Sequence, residues 1–268
     1  MTQAVHIFTD LDGTLLGHDD YAFEPVVPVL RALEAGDVGV SLATSKTLPE
    51  VLKWQARLQL QTPFIVENGA AVYFPERGYD LAGLEVTPHD GWLRVTLGAN
   101  LEELEVFLSP FRDRVLSLAH CSLADAVRVT DLPTDDAALA QQRSHTLPLI
   151  AGDDEVFAEI VAAAPAAGLM TQQGGRFLHV QGDADKGRAL ELVRIVLDRT
   201  RGVAHRTIAL GDSGNDIELL RAADVAVVMN THAGHRISLD GDAVIRTERL
   251  APDGWVEGVR EALTVIMA

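Results

Sequence analysis

The stretch that decides the fold is Ala4-Val5-His6-Ile7-Phe8-Thr9-Asp10-Leu11-Asp12-Gly13-Thr14. Its first six residues are typical of a buried β-strand, which ends where the two aspartates begin. Because successive side chains of a strand point to opposite faces, the extended conformation must break here for Asp10 and Asp12 to reach one site. Gly13 supplies the backbone freedom for that break. An Asp-rich turn after a strand is also common without any function, so the interpretation depends on partners elsewhere in the chain.

The two ends of the chain share one pattern of alternating strands and helices. In the first part, a strand pattern over 38–43 is followed by a helix pattern that begins behind Thr47. In the last part, strand patterns cover 207–210 and 225–229. Strands that are apolar on both faces and alternate with helices predict a doubly wound α/β fold, with a parallel sheet covered on both sides.

The segment between these parts has a different pattern, with predicted helices over 101–111, 134–144 and 156–164 and a predicted hairpin around Gly174-Gly175. Its length of about 100 residues is a normal domain size. We therefore expect a discontinuous α/β core of residues 1–82 and 183–268, interrupted by an inserted α+β domain of residues 83–182.

The composition limits the partners and the compartment. The chain has 22 Lys and Arg against 39 Asp and Glu, which gives a formal net charge of −17. This charge argues against a nucleic-acid or anionic-membrane partner, because both require a basic surface. Cys121 is the single cysteine, and neither a leader peptide nor a membrane-spanning run is apparent. We expect a soluble cytoplasmic protein, whose oligomeric state the sequence leaves open.

Polar residues follow four predicted core strands, at the point where each strand ends. They are Asp10 and Asp12, Thr44 and Lys46, Glu67 and Asn68, and Asp212 and Asp216. In open α/β sheets the ligand site lies outside the carboxyl ends of the strands. Several carboxylates near one point raise one another's pKa unless a cation is present, and Mg²⁺ prefers oxygen ligands. The predicted Mg²⁺ ligands are Asp10, Asp12, Asp212 and Asp216.

The same residues indicate phosphoryl transfer. Thr14 and Thr44 offer hydroxyl donors, and Lys186 begins a helix, where its ammonium adds to the backbone amides in binding an anion. Asp10 is the predicted nucleophile, which would form an aspartyl-phosphate. Asp12 is the predicted general acid and base. The predicted catalytic residues are Asp10, Asp12, Thr44 and Lys186.

These motifs resemble those of the haloacid dehalogenase superfamily of phosphatases. The resemblance is carried by Asp10-Leu11-Asp12-Gly13-Thr14, Thr44, Lys186 and Gly211-Asp212-Ser213-Gly214-Asn215-Asp216, in the order in which the four family motifs occur. It implies a Rossmann-like core that uses Mg²⁺. The insertion resembles the cap domain of the Cof-like sugar-phosphatase branch, which implies that it covers the site and selects a small phosphorylated sugar-type substrate.

Further stretches resemble the mannosyl-3-phosphoglycerate phosphatase family within this branch. They are Thr44-Ser45-Lys46-Thr47, Pro63-Phe64-Ile65-Val66-Glu67-Asn68-Gly69, Gly174-Gly175-Arg176-Phe177-Leu178-His179 and Asp185-Lys186-Gly187. The implied reaction converts mannosyl-3-phosphoglycerate to mannosylglycerate and phosphate. The substrate-binding candidates are Thr14, Ser45, Lys46, Glu67, Asn68, Arg176, His179 and Asn215. Since Arg176 and His179 alternate onto opposite faces of a strand, we expect one of them, preferably His179, to be structural.

Three alternatives remain open. The substrate could be another sugar phosphate, such as glucosyl-3-phosphoglycerate or sucrose phosphate. A phosphosugar mutase could use the same nucleophile and metal but return the phosphoryl group to a sugar hydroxyl. A non-catalytic ligand sensor on this fold belongs to a different class, and the presence of every catalytic residue argues against it. Dehalogenase chemistry is disfavoured because it does not require Asp12.

Overall fold

The computed structural model describes residues 4–173 and 177–267. The strands are β1 (Ala4–Thr9), β2 (Gly39–Leu42), β3 (Phe64–Val66), β4 (Ala71–Pro75), β5 (Thr87–His89), β6 (Trp92–Thr96), β7 (Leu116–Ser117), β8 (Thr146–Ala151), β9 (Leu169–Gln173), β10 (Leu178–Gly182), β11 (His205–Gly211), β12 (Val225–Asn230) and β13 (Val244–Leu250). The helices are α1 (Val27–Ala35), α2 (Leu48–Leu58), α3 (Leu101–Leu108), α4 (Leu123–Thr130), α5 (Thr134–Ala140), α6 (Asp154–Ala163), α7 (Lys186–Arg201), α8 (Ile217–Ala222) and α9 (Asp253–Met267).

The central sheet is parallel throughout and has the order β13-β12-β11-β1-β2. Strand β1 pairs with β11 on one side and with β2 on the other. The strand order therefore reverses direction next to β1, and such a switch point is where open α/β sheets bind ligands. This topology confirms the predicted doubly wound α/β core.

Helices cover both faces of the central sheet, as the apolar strands predict. On one face, α1, α2 and α9 pack side chains such as Leu30, Trp54 and Trp255 against the sheet. On the other face, α7 and α8 contribute residues such as Val193 and Leu219. Strands β1, β11 and β12 are therefore buried on both faces, which explains why their sequences show apolar runs, whereas the edge strand β13 carries exposed charged residues.

A second, antiparallel sheet with the order β3-β4-β6-β5 continues from the core. Its strand β3 joins the central sheet through a parallel bridge between Ala43 and Ile65. Residues 87–96, which the sequence pattern assigned to the insertion, form β5 and β6 of this sheet, and β6 pairs with β4. Where the chain leaves this sheet, Gly98 and Ala99 lie against Gly182, and a Cβ at Gly182 would come within 2.1 Å of the Ala99 nitrogen. We therefore propose that the inserted domain comprises residues 98–182.

The third sheet, with the order β7-β8-β10-β9, is antiparallel and forms the centre of the inserted segment. Helices α3 and α6 pack on one of its faces through Leu104, Leu108, Val156 and Ile160. Strands β9 and β10 pair as the predicted hairpin, while the turn at Gly174-Gly175 lies outside the described residues. The predicted helix over 134–144 ends earlier, at Ala140, because the chain turns there to enter β8. Among the described residues, no helix is both long and apolar enough to cross a bilayer.

His6 gives the fold a testable pH dependence. It is buried in β1 with Nε2 2.8 Å from Ser41 Oγ, and burial, together with the nearby charges of His205 and Arg201, lowers the pKa of His6 to about 3. An unfolded histidine binds a proton near pH 6.5. The stability that depends on neutral His6 is therefore fully present above about pH 6.5 and is lost progressively as the pH falls toward 3.

We expect His6→Gln, which cannot titrate, to reduce the pH dependence of the free energy of unfolding below pH 6.5. The free energies of unfolding of the two proteins should diverge by at most about 1.4 kcal/mol per pH unit, which is the value for the uptake of one proton. Urea unfolding at a series of pH values between neutral and mildly acidic measures this, with Ser41→Ala as a control that keeps the imidazole. The prediction would be contradicted if the free energies of unfolding of wild type and His6→Gln changed with pH in parallel.

Candidate active site

The carboxyl ends of β1 and β11 bring the first and the last sequence motif together. The two strands pair in register from Ala4 with His205 to Thr9 with Leu210. The Asp10 amide continues this pairing by donating to the Leu210 carbonyl over 3.0 Å. Asp10 and Asp212 therefore leave neighbouring strands at the same edge of the sheet, as the strand-end argument predicts.

Asp10, Asp212 and Asp216 form a buried cluster in which one carboxylate oxygen of each residue lies within 4.8 Å of the others. Asp216 is held by its own turn, because its Oδ2 accepts the amides of Asp212 and Ser213, both over 3.1 Å. Its orientation is therefore fixed from within the loop that carries Asp212.

Lys186 supplies the cation of this cluster. Its Nζ donates to Asp10 Oδ1 over 2.8 Å and to Asp216 Oδ1 over 2.6 Å, and its side chain is fully buried. Burial disfavours the ammonium, but Asp10 and Asp216 outweigh that effect and raise the pKa of Lys186 above its ordinary value. Lys186 is therefore charged at neutral pH.

The turn after β3 helps to place Lys186 at the start of α7. Gly69 has a φ of +95°, and a Cβ there would lie 2.1 Å from the Asp185 carbonyl oxygen. Glycine is the residue that tolerates both this backbone conformation and so close an approach. The Glu67-Asn68-Gly69 turn thus packs directly against the residue that precedes Lys186.

The cluster carries more negative charge than one ammonium offsets. Burial raises the pKa of Asp10 well above its usual value against the opposing effect of Lys186, and Asp216 and Asp212 raise it further. Burial together with the Asp216 carboxylate raises the pKa of Asp212 to about 6. Both carboxyls would be ionised more readily with a cation nearby, and the donors are all carboxylate oxygens. These residues fit a hard divalent cation.

Asp12 lies outside this three-carboxylate cluster. Its Oδ2 pairs with Lys46 Nζ over 2.8 Å, and the Lys46 ammonium also lies 3.7 Å from Glu50 and above the Tyr21 ring. Burial disfavours the ammonium, yet Asp12 and Glu50 raise the pKa of Lys46 above its usual value. Asp12 Oδ1 is buried and has no hydrogen-bond partner among the described residues. The geometry gives Asp12 a free oxygen for proton transfer and makes it a weaker candidate for a metal ligand.

The remaining candidates for phosphate binding surround the same edge. Thr44 is buried, and its Oγ1 accepts the Lys46 amide over 3.2 Å. Asn215 Nδ2 donates to Asn68 Oδ1 over 3.1 Å, which links the fourth motif to the turn after β3. The Thr14 hydroxyl is buried without a hydrogen-bond partner in the described part of the chain. The structure thus brings Thr44, Asn68 and Asn215 to one edge.

Glu67 and Ser45, two of the predicted substrate ligands, contact the inserted domain, Glu67 through its carboxylate and Ser45 through its backbone carbonyl. The Glu67 carboxylate accepts hydrogen bonds from residues 144–146 of the inserted domain, and the Ser45 carbonyl accepts one from Arg143 over 2.9 Å. Arg143 was missed at the level of sequence, because it lies in a stretch that carries no motif. The only signal in the sequence was the position of Arg143 near the end of the predicted helix over 134–144.

Of the two predicted ligands in the hairpin, the structure describes His179 but not Arg176. His179 is buried in β10, its Nδ1 has no hydrogen-bond partner among the described residues, and burial with the nearby Arg143 lowers its pKa to about 3. It is therefore neutral near pH 7, as suits a structural residue. Arg176 lies outside the described residues.

The Lys186 side chain should be essential for stability. Lys186→Met would leave Asp10 and Asp216 buried without their cation, and removal of one partner of a buried pair typically costs about 3–5 kcal/mol. We expect a loss of this size in urea unfolding near neutral pH and a smaller loss at lower pH, where Asp10, whose pKa burial raises, can take up a proton.

The control for this test is Lys53→Met, which removes the partly exposed ion pair with Asp136. Such a surface pair contributes at most about 1 kcal/mol. Equal unfolding midpoints for the two variants would contradict the expectation for Lys186.

Comparison with known proteins identifies the family. Residues 7–82 and 136–247 match the family model described as haloacid dehalogenase-like hydrolase. A glucosyl-3-phosphoglycerate/mannosyl-3-phosphoglycerate phosphatase from Persephonella marina is 35% identical over 263 residues, which cover 97% of each chain.

Solved structures show the same fold at lower identity. A Thermoplasma acidophilum protein superposes with a TM-score of 0.68 and 16% identity over 98% of this chain and 99% of its own. The sucrose-phosphatase of Synechocystis superposes with a TM-score of 0.57 and 15% identity over 98% of each chain. The family-model match and the 35% identical relative show that the chain belongs to the haloacid dehalogenase-like hydrolases.

Proposed function

We propose that this chain, a phosphomonoesterase of the haloacid dehalogenase-like family, hydrolyses mannosyl-3-phosphoglycerate to mannosylglycerate and phosphate, with glucosyl-3-phosphoglycerate as a second substrate. The observation that carries the chemistry is the buried Asp10, which contacts Lys186 beside two further carboxylates. The observation that carries the substrate is the 35% identity, over nearly the whole chain, to an enzyme named for both compounds.

We propose Mg²⁺ as the cation of the three-carboxylate cluster. The cluster offers oxygen donors alone, and Mg²⁺ is commonly held by one or two protein carboxylates, by waters and by a substrate phosphate oxygen. Asp10 and Asp212 would hold it directly. Asp216, whose oxygens already bind Lys186 and two amides, would orient this site. Bound Mg²⁺ would supply charge stabilisation of the phosphoryl oxygens.

Asp10 is the proposed nucleophile. Its Oδ1 is held by Lys186, which leaves Oδ2 to attack phosphorus and form an aspartyl-phosphate as the bond to the leaving oxygen breaks. The Lys186 ammonium then lies beside the transferring group, where it opposes the negative charge that develops on the phosphoryl oxygens. The step divides a slow hydrolysis into two faster displacements.

Asp12 is the proposed proton carrier. Protonated Asp12 gives its proton to the leaving oxygen in the first displacement, and the resulting carboxylate takes a proton from the water that attacks phosphorus in the second. The contact with Lys46 fixes its Oδ2, so that the unpartnered Oδ1 serves for both transfers. Release of phosphate regenerates the Asp10 carboxylate.

The charge around Asp12 also supports a carboxylated leaving group. In a 3-phosphoglycerate unit, two carbon atoms separate the ester oxygen from the carboxylate carbon. The Lys46 ammonium lies 2.8 Å from Asp12, which must contact that ester oxygen. A carboxylate at this separation would reach Lys46, whereas a neutral hexose would make no charged contact with this buried cation.

Chelation tests the metal. We expect EDTA to abolish phosphate release and excess Mg²⁺ to restore it. By calorimetry, Asp212→Asn should weaken Mg²⁺ binding by about tenfold or more, as the loss of a charged ligand does, while Asp136→Asn on the surface should not. Undiminished activity in EDTA would contradict the assignment.

A substrate panel tests the reaction. Phosphate release would be compared for mannosyl- and glucosyl-3-phosphoglycerate, sucrose phosphate, simple hexose phosphates and phosphoglycolate, with Asp10→Asn as the variant expected to show no steady-state turnover. We expect kcat/KM for the two glycosyl-phosphoglycerates to exceed that for hexose phosphates about a hundredfold or more, because a site built around polar groups rejects analogues that leave them unpaired.

The other outcomes of the panel discriminate between the remaining functions. Slow release from every substrate would keep the mechanism and reject the proposed substrate. Phosphoryl transfer from a hexose phosphate to a sugar hydroxyl would indicate a mutase. Binding of a phosphorylated sugar without any turnover would indicate a sensor.

A further inference from the structure

Glu67 is a buried carboxylate whose partners come from the inserted domain. It is 1% exposed. Its Oε1 accepts the Ser144 amide over 2.9 Å, and its Oε2 accepts the His145 amide over 3.1 Å and the Thr146 hydroxyl over 2.8 Å. Both oxygens are therefore engaged within the protein, which argues against direct contact between Glu67 and the substrate.

Arg143 provides the charge that Glu67 requires and extends the contact to the core. Its Nε lies 3.4 Å from Glu67 Oε2, and both Nε and Nη2 donate to the Thr146 hydroxyl. Nη2 also donates to the Ser45 carbonyl over 2.9 Å. Arg143 is 7% exposed, so these contacts are made away from bulk water, where charge-assisted hydrogen bonds are strong.

Ser45 lies between two residues of the active site, Thr44 and Lys46. The core holds the backbone of the loop 44–46 through three hydrogen bonds. The Glu67 amide donates to the Lys46 carbonyl and the Asn68 amide to the Thr44 carbonyl, each over 3.0 Å, and the Thr44 amide donates to the Ile65 carbonyl over 3.1 Å. The Lys46 side chain also pairs with Asp12. The Ser45 carbonyl is held from the opposite side by Arg143. A shift of this carbonyl would rotate the peptide units that carry Thr44 and Lys46.

We propose that Arg143 is a positioning residue for phosphate binding, with Glu67 as its counter-ion and Thr146 as the bridge between them. The Glu67–Arg143–Thr146 clasp, as we name these three residues together, fixes the loop 44–46 only while the inserted domain lies on the core. Closure of the domain and assembly of the phosphate site are then one event. This inference rests on the proposed function in one respect, that the loop 44–46 binds phosphate.

A clasp of this kind should strongly favour the closed arrangement. If the inserted domain moved away from the core, the ion pair between Arg143 and Glu67 would break. Either residue, if it stayed buried, would then carry an uncompensated charge. Access for substrate therefore requires both groups to reach water together. The clasp accordingly behaves as a two-state element instead of a flexible contact.

The test uses inorganic phosphate as the probe, with the full-length protein loaded with Mg²⁺. We expect Arg143→Met to weaken phosphate binding in calorimetry about tenfold, the effect of losing a hydrogen bond from a charged group, and to leave Mg²⁺ binding unchanged. It should also lower kcat/KM by one common factor for phosphoglycolate and for a glycosyl-phosphoglycerate, because the loop 44–46 serves both. Arg143→Lys, which keeps the charge but not the forked donors, should restore part of the phosphate affinity.

The matched control is Arg114→Met, which removes an exposed two-contact ion pair with Glu159 within the inserted domain. It should change none of these quantities. Thr146→Val, which removes only the bridging hydroxyl, provides a milder variant if Arg143→Met fails to fold, and it should weaken phosphate binding in the same direction.

Three results would overturn the inference. Equal phosphate affinity in folded Arg143→Met or Thr146→Val and in wild type would make the clasp merely structural, with the proposed function intact. A loss restricted to the glycosylated substrate would make Arg143 a substrate ligand. Failure of wild type itself to bind phosphate would reject the proposed function and the clasp together.

Discussion

The contact of one ammonium with two carboxylates is the interaction on which the rest of the site depends. Lys186 donates to Asp10 and Asp216 in a region closed to solvent, and without it two buried anions would face each other and Asp212. The parallel sheet brings the aspartates together because β1 and β11 are neighbours. Lys186 is the first residue of α7, which follows the inserted domain in the sequence. The fold thus concentrates negative charge at the carboxyl edge of the sheet, where Lys186 offsets part of it and the proposed Mg²⁺ would offset the rest.

The distribution of positive charge follows from the same constraint. A chain with a formal net charge of −17 attracts an anionic substrate only where cations are concentrated, and in the described part of the chain three cationic side chains are buried around the site. Lys186 lies beside Asp10, the proposed nucleophile, Lys46 lies beside Asp12, the proposed proton carrier, and Arg143 lies beside the loop 44–46. Each has a carboxylate partner inside the protein, so each is fixed in place before substrate arrives, which lowers the reorganisation needed during catalysis.

The sequence predicts this protein well where structure follows from local pattern, and less well where it follows from contacts between distant segments. Apolar runs that end in Asp10, Thr44 and Asp212 predict both the sheet and the edge that carries the site, because parallel strands share a direction. Strand β8 is not predicted from the sequence, because Pro148 lies in its middle and a proline usually argues against a central strand. Glu67 looks like a substrate ligand in the sequence, and its pairing with Arg143, 76 positions away, becomes visible only when the inserted domain is placed on the core. The turn of Asp12 toward Lys46 is similarly a tertiary event.

The backbone contact between Ala99 and Gly182 has a consequence for how such a protein can evolve. Because the inserted domain leaves and rejoins the core at adjacent points, the distance between β6 and α7 does not depend on what lies between them. Closing a longer loop costs little additional entropy, since the cost grows only with the logarithm of the length. A lineage can therefore lengthen or shorten the inserted domain while the ends of β6 and α7 keep the same separation. The segment around Arg143, which contacts the core at Ser45 and Glu67, is the part in which such changes would be least tolerated.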